Sequence, residues 1–198
     1  MEIYLYDEIG AYGVSAKDFA RDLSAVGKDA AIHLRVNSPG GSVADGTAIY
    51  NLLRERSAPI RVSIDSAAYS MASLVAMVGA PVAIADNALM MIHNPRMPAY
   101  GEESDMTKAA SVLAKHREAM VMAYARKTGM DEEPLRALMD AETWMSAAEA
   151  VEAGFADQVT GAVEMAACFD LTRFEYQHAP QGAHNSITAA GETQPGKT

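Results

Sequence analysis

Ala31-Ile-His-Leu-Arg-Val36 runs directly into Asn37-Ser-Pro-Gly-Gly-Ser42. The first six residues read as a strand, and Pro39 with two glycines breaks it sharply. From Ser42 the pattern changes: Val43, Ile49, Tyr50 and Leu53 fall on or near one face of a helix. The same succession recurs further on, where a strand at Ile60–Ile64 feeds a helix over about Met71–Val78. Repeated strand–turn–helix units predict an α/β domain with a layered core.

Outward from these units the spacing is equally regular. Met1–Tyr6 alternates as a short strand, and Ser15 caps a helix through Phe19 and Leu23 that ends near Gly27. Pro81–Ala85 and Leu89–Ile92 read as strands, the second ended by His93-Asn94-Pro95, and Arg96–Glu103 reads as a loop. Met106, Ala110, Leu113, Met120 and Tyr124 recur at three-to-four spacing, predicting a helix of about seven turns over Ser104–Thr128. Gly129 stops it. Asp131 and Pro134 open a short helix through Leu138, and Ser146-Ala-Ala-Glu149 is a capping box for another that ends at Gly154. From Gln177 the chain is polar and rich in Gly, Pro and Thr, which predicts a domain over 1–175 and a disordered tail over 176–198.

The 198 residues suit one domain, and several function classes are excluded early. Net charge is −10 with no Lys/Arg block, so the cationic footprint of a nucleic-acid binder is missing. No run of about 18 apolar residues could span a membrane. Met1–Ile9 has no basic region of the kind that opens a signal peptide. The single cysteine, Cys168, cannot form an internal disulfide and suits a reducing, cytoplasmic setting. The five histidines are scattered without metal-ligand spacing, and neither a Walker loop nor a G-x-G-x-x-G turn is present, so no metal or cofactor is expected.

Chemistry concentrates at the two junctions. Gly40-Gly41 exposes backbone N–H groups at a helix start, although a tight turn explains the glycines equally. In Asp65-Ser-Ala-Ala-Tyr-Ser70-Met-Ala-Ser73, Ser70 stands where strand becomes helix, with the N–H of Met71 facing the same space. Ser70 could equally be a plain N-cap, and Ser66 and Ser73 are rival hydroxyls. His93 leaves an apolar strand just before a proline. A hydroxyl nucleophile needs such a base, and the base needs an orienting acid. Asp140 and Glu142 are the acids next to an ordered junction downstream.

Asn37–Ser42, Ala67–Ser73, Met91–Pro95 and Glu142–Asp157 (ETWMSAAEAVEAGFAD) together resemble the Clp peptidase family in sequence order, over about residues 1 to 165. The resemblance implies a ClpP/crotonase-like α/β fold with a long helix inserted after the core. It implies Ser70 as nucleophile and His93 as general base, with the N–H groups of Gly41 and Met71 as the oxyanion hole. Asn37, Ser38, Pro39 and Gly40 would lie along a bound peptide as an added strand. It further implies a peptide or protein substrate and a homo-oligomeric ring, with the long helix between rings.

The chain departs from the family pattern at three places. Glu142 stands where the family has aspartate, with Asp140 as the alternative acid. Ser66 replaces a glycine, and Tyr69 replaces a small residue beside the nucleophile, where it is expected to shape the pocket. The segment that contacts an ATP-driven unfoldase does not precede Met1, which argues against that partner. The Trp144 context is most similar to the phage-encoded branch, implying a head-maturation protease acting on a capsid or scaffold precursor. The alternative is a ring protein that keeps the fold but has lost activity. A crotonase-like thioester chemistry would leave Ser70 and His93 unexplained.

Overall fold

A computed structural model describes residues 1–162 and 169–180. Seven strands form one sheet, with β1 (Glu2–Leu5), β2 (Ile32–Ser38), β3 (Ile60–Tyr69), β4 (Val82–Ala85) and β7 (Gln158–Thr160) side by side and parallel. β5 (Leu89–Ile92) pairs parallel with β3 and antiparallel with β6 (Thr143–Ser146). α1 (Ala16–Ser24), α2 (Val43–Arg54), α3 (Met71–Ala76), α4 (Glu103–Thr128), α5 (Glu132–Asp140) and α6 (Ala147–Glu152) complete the fold. This is the expected α/β architecture.

β3 organises the site. Its ten residues serve two neighbours in turn, Val62–Ile64 pairing with β4 and Ala67–Tyr69 with β5. The expected strand stopped at Ile64 because Asp65 and Ser66 interrupt the apolar run. Asp65 is buried instead, its carboxylate accepting from Arg35 and from the Tyr6 hydroxyl at 2.7 Å, so the polar residue is tolerated and the strand continues. The shift in β2 pairing between Val36 and Ser38 falls at the same level.

One large core joins the sheet to the helices. Leu34, Val36, Val62 and Ile84 from the strands meet Ile49, Leu53, Val75, Tyr124 and Phe155, all essentially without exposure. α4 enters this core only through its C-terminal half, where Met120, Val121, Ala123 and Tyr124 are buried, and Gly129 ends it in the left-handed conformation (φ 71°). Ser146 and Glu149 form the capping box that starts α6. β6 and β7, four and three residues long, were too short to read from periodicity. Of the tail expected over 176–198, residues 176–180 lie within the described residues; Cys168 lies outside them.

Candidate active site

The end of β3 delivers Ser70 in a strained backbone conformation, φ 53° and ψ −123°. A non-glycine residue there costs roughly 1–3 kcal/mol and persists only where its surroundings hold it. The holding is visible: the N–H of Ser70 donates to Met91 O at 2.9 Å, and its carbonyl accepts from the N–H of Ser73 and of Leu74. Its side chain makes no capping bond to α3. The plain N-cap reading therefore fails for Ser70. Ser73 is fully buried and committed elsewhere, donating to Ser70 O at 2.6 Å and touching the Tyr124 hydroxyl at 2.9 Å.

Register brings His93 to Ser70. Tyr69 pairs with Met91, so the residues just beyond the two strand ends emerge side by side, and His93 Nε2 lies 2.8 Å from Ser70 Oγ. With the ring proton on Nδ1, the hydroxyl donates to Nε2. Burial drives the His93 pKa down to about 4; the Arg96 guanidinium adds to this and the Glu142 carboxylate opposes it. The imidazole is neutral at pH 7 and free to accept a proton.

The two acids are placed very differently. Glu142, at a left-handed backbone position (φ 48°), is buried with Oε2 at 4.0 Å from His93 Nδ1. That is too far for a hydrogen bond, and Nδ1 has no partner among the described residues. Oε2 accepts instead from Arg96 at 2.7 Å, and Oε1 from the His178 N–H at 2.8 Å. Burial pushes the Glu142 carboxyl up, but the N–H groups of His178 and Gln177, the Trp144 indole and Arg96 outweigh it and hold the pKa below its ordinary value. Asp140 is half exposed and engaged by Arg117 at 2.9 Å and by the Asn94 amide at 2.7 Å.

The Gly40-Gly41 turn lies against this pair. Both glycines have positive φ, 90° and 140°, and a Cβ on Gly40 would sit 2.5 Å from Tyr69 O and 2.8 Å from Ser70 Cβ. Ile9 pins the turn, its N–H donating to Gly40 O and its carbonyl accepting from Ser42. Gly41, Ser70, Met71 and His93 line a cavity of about 120 Å³ that Val43, Met120 and Tyr176 help to close. Asn37 and Ser38 are fully buried, so their side chains are not offered to a ligand. Tyr69 is turned away from the cavity, packing with Trp144 at 4.8 Å between ring centroids and with Leu171 in a second apolar cluster. Tyr176 and Met71 line the pocket directly, and Tyr69 does not, a correction to the expectation that Tyr69 shapes it.

Arg96, Phe174 and Tyr176 were not anticipated as site residues. Arg96 read as loop, and the aromatic residues end a stretch just before the polar tail. Their only signal was the density of Phe169, Leu171, Phe174 and Tyr176 in a segment with no helical or strand period.

Residues 3–163 match the family model for Clp protease, which is most of the chain and includes every residue from the glycine turn to Glu142. The chain belongs to the Clp protease family. It is also 29% identical over 133 residues to the ATP-dependent Clp protease proteolytic subunit 1 of Protochlamydia amoebophila (strain UWE25). That alignment covers 65% of this chain and 65% of the relative, just under two thirds of its length. The Clp family match ends before Leu171, so the segment carrying Phe174 and Tyr176 lies outside it. Among the described residues no helix is long and apolar enough to cross a membrane, and no three His, Cys, Asp or Glu side chains cluster to hold a metal ion.

Proposed function

We propose that the chain is a serine endopeptidase acting through an acyl-enzyme on Ser70. The observation that carries this reading is the 2.8 Å contact between Ser70 Oγ and a buried, neutral His93. Nε2 takes the hydroxyl proton as Oγ bonds to the scissile carbonyl carbon, then returns it to the leaving amine as the C–N bond breaks. A water activated by the same nitrogen releases the acyl group. The N–H groups of Gly41 and Met71 receive the developing oxyanion, each worth about 3 kcal/mol where such donors have been removed from other enzymes. Glu142, with Oε2 at 4.0 Å from Nδ1, orients the imidazole once it turns to accept from Nδ1–H. The backbone of Asn37–Gly41 pairs with the substrate as an added strand.

In the finer reading the protein is a phage-type head-maturation protease, as the Glu142-Thr-Trp144 context suggests. It works as a homo-oligomeric ring on a capsid or scaffold precursor. The exposed N-terminal part of α4, with Met106 and Val112, supplies the contact between rings. Hydrolysis of casein by the purified chain, abolished in Ser70→Ala, tests the activity; a substrate left intact by both wild type and Tyr176→Ala at all pH values from 5 to 9 rejects it. A second reading, a ring protein with little or no activity, is favoured by the unpaired Nδ1 of His93. It predicts ring assembly without casein cleavage.

A further inference from the structure

The segment after the Clp-family core lies on the catalytic pair. Leu171 anchors it, buried against Ala67, Tyr69 and Met91, and a short 3₁₀ turn over Leu171–Phe174 leads on to Tyr176. The Tyr176 ring stands edge-on to His93 with centroids 5.4 Å apart and stacks on Phe174. Its hydroxyl donates to Pro39 O and interacts with the Ser70 hydroxyl. Pro39 and Gly40, the backbone that a peptide would pair with, are buried.

The same segment grips the acid. Arg96 spans the two, donating from one guanidinium nitrogen to Glu175 O at 2.7 Å and from the other to Glu142 Oε2 at 2.7 Å. The His178 N–H holds Oε1 at 2.8 Å, and the Gln177 N–H also bonds this carboxylate. Glu142 is thus fastened to the segment while His93 Nδ1, 4.0 Å away, is buried without a partner among the described residues. A buried imidazole nitrogen left unpaired is destabilised, so the arrangement is poised to change once the segment leaves.

We infer that residues 171–178 form an autoinhibitory strap, which fills the peptide cleft with Tyr176 and keeps Glu142 from orienting His93. The inference rests on Ser70 as nucleophile. Release of the strap frees the Pro39 carbonyl and the Ser70 hydroxyl, and lets Glu142 turn to Nδ1. Arg173 ties the strap to the opposite rim through Glu8, at 3.2 Å, and over the Tyr12 ring.

The test uses the full chain and two readouts. Fluorophosphonate labelling of Ser70 is expected to be at least tenfold faster in Tyr176→Ala than in wild type, with a smaller gain in Tyr176→Phe, which keeps the ring but loses the hydroxyl. Amide hydrogen exchange, which needs no activity, is expected to show Gln177 and His178 protected in wild type and released in Glu142→Ala. Exchange of these amides at free-peptide rates in wild type overturns the strap. Protected amides with equal or slower labelling in Tyr176→Ala overturn its inhibitory role. Protected amides with no labelling in any form reject Ser70 as nucleophile, and the inhibition with it, while leaving the placement of the segment standing.

Discussion

His93 and Glu142 face each other without touching: Nδ1 stands 4.0 Å from Oε2, and Arg96 occupies that oxygen at 2.7 Å. The nucleophile side of the same imidazole is already set, with Nε2 at 2.8 Å from Ser70 Oγ. One half of the relay is therefore assembled and the other is held open by a cation and a strap. Asp140 is engaged by Arg117 and by the Asn94 amide and makes no ion pair with His93 among the described residues.

The two acids separate under neutral substitution. Glu142→Gln removes the group that must accept from Nδ1–H and is expected to lower casein turnover by 100-fold or more, on the order of the loss when a triad acid is neutralised. Asp140→Asn is expected to change turnover less than about threefold, in line with a half-exposed ion pair worth under about 1 kcal/mol. Steady-state rates of the two variants, measured side by side with thermal unfolding, check this; equal losses contradict it.

Burial, with Arg96 adding to it, sets the acid limb of the reaction. Only neutral His93 can act as base, and burial and Arg96 together bring its pKa to about 4, so labelling of Ser70 is expected to persist in mildly acidic buffer and fall near pH 4. Arg96→Gln removes a charge that disfavours the imidazolium and frees Glu142 to favour it. The limb should then move upward in pH. A pH profile of the labelling rate from 3.5 to 8 reads the shift, and an unchanged or lowered limb is the contrary result.

Stability carries the same signature. His93 titrates near 6.5 when unfolded and near 4 when folded, so the unfolded chain binds the extra proton between those values. The neutral ring's contribution is complete above about pH 6.5 and is lost as pH falls toward 4, about 3 kcal/mol over the window by linkage. Urea unfolding at several pH values should show this loss in wild type and a flatter profile in His93→Gln.

Much of this architecture was legible from residues. Asn37–Ser42 announced a strand, a turn and a helix, Gly129 marked the end of α4, and Ser146 with Glu149 marked the start of α6. The site was legible only as a set. Ser70 alone resembles a cap and His93 alone a buried histidine; what joins them is the pairing of Tyr69 with Met91, a long-range register with no local signal. The length of β3 was hidden because Arg35 and Tyr6, remote in sequence, satisfy Asp65. Tyr176 was hidden for a related reason: its packing depends on His93, Trp144 and Pro39, and its own neighbours in sequence are polar.

Gly40 tests the turn. Alanine there needs φ near 90° and puts a methyl group 2.5 Å from Tyr69 O and 2.8 Å from Ser70 Cβ, so the turn must move off the nucleophile. Gly40→Ala is expected to cut turnover by about 100-fold, comparable to losing an oxyanion donor, with β-sheet content retained by circular dichroism. Near-wild-type turnover contradicts the placement of the turn.

Activation of Ser70 by His93 is read out by adduct mapping. The purified full chain is treated with a fluorophosphonate and the modified peptide identified by mass spectrometry. The expected result is a single adduct on Ser70, absent in Ser70→Ala and at least tenfold slower to form in His93→Ala. An adduct on Ser66 or Ser73, or none where a control serine peptidase reacts fully, contradicts it.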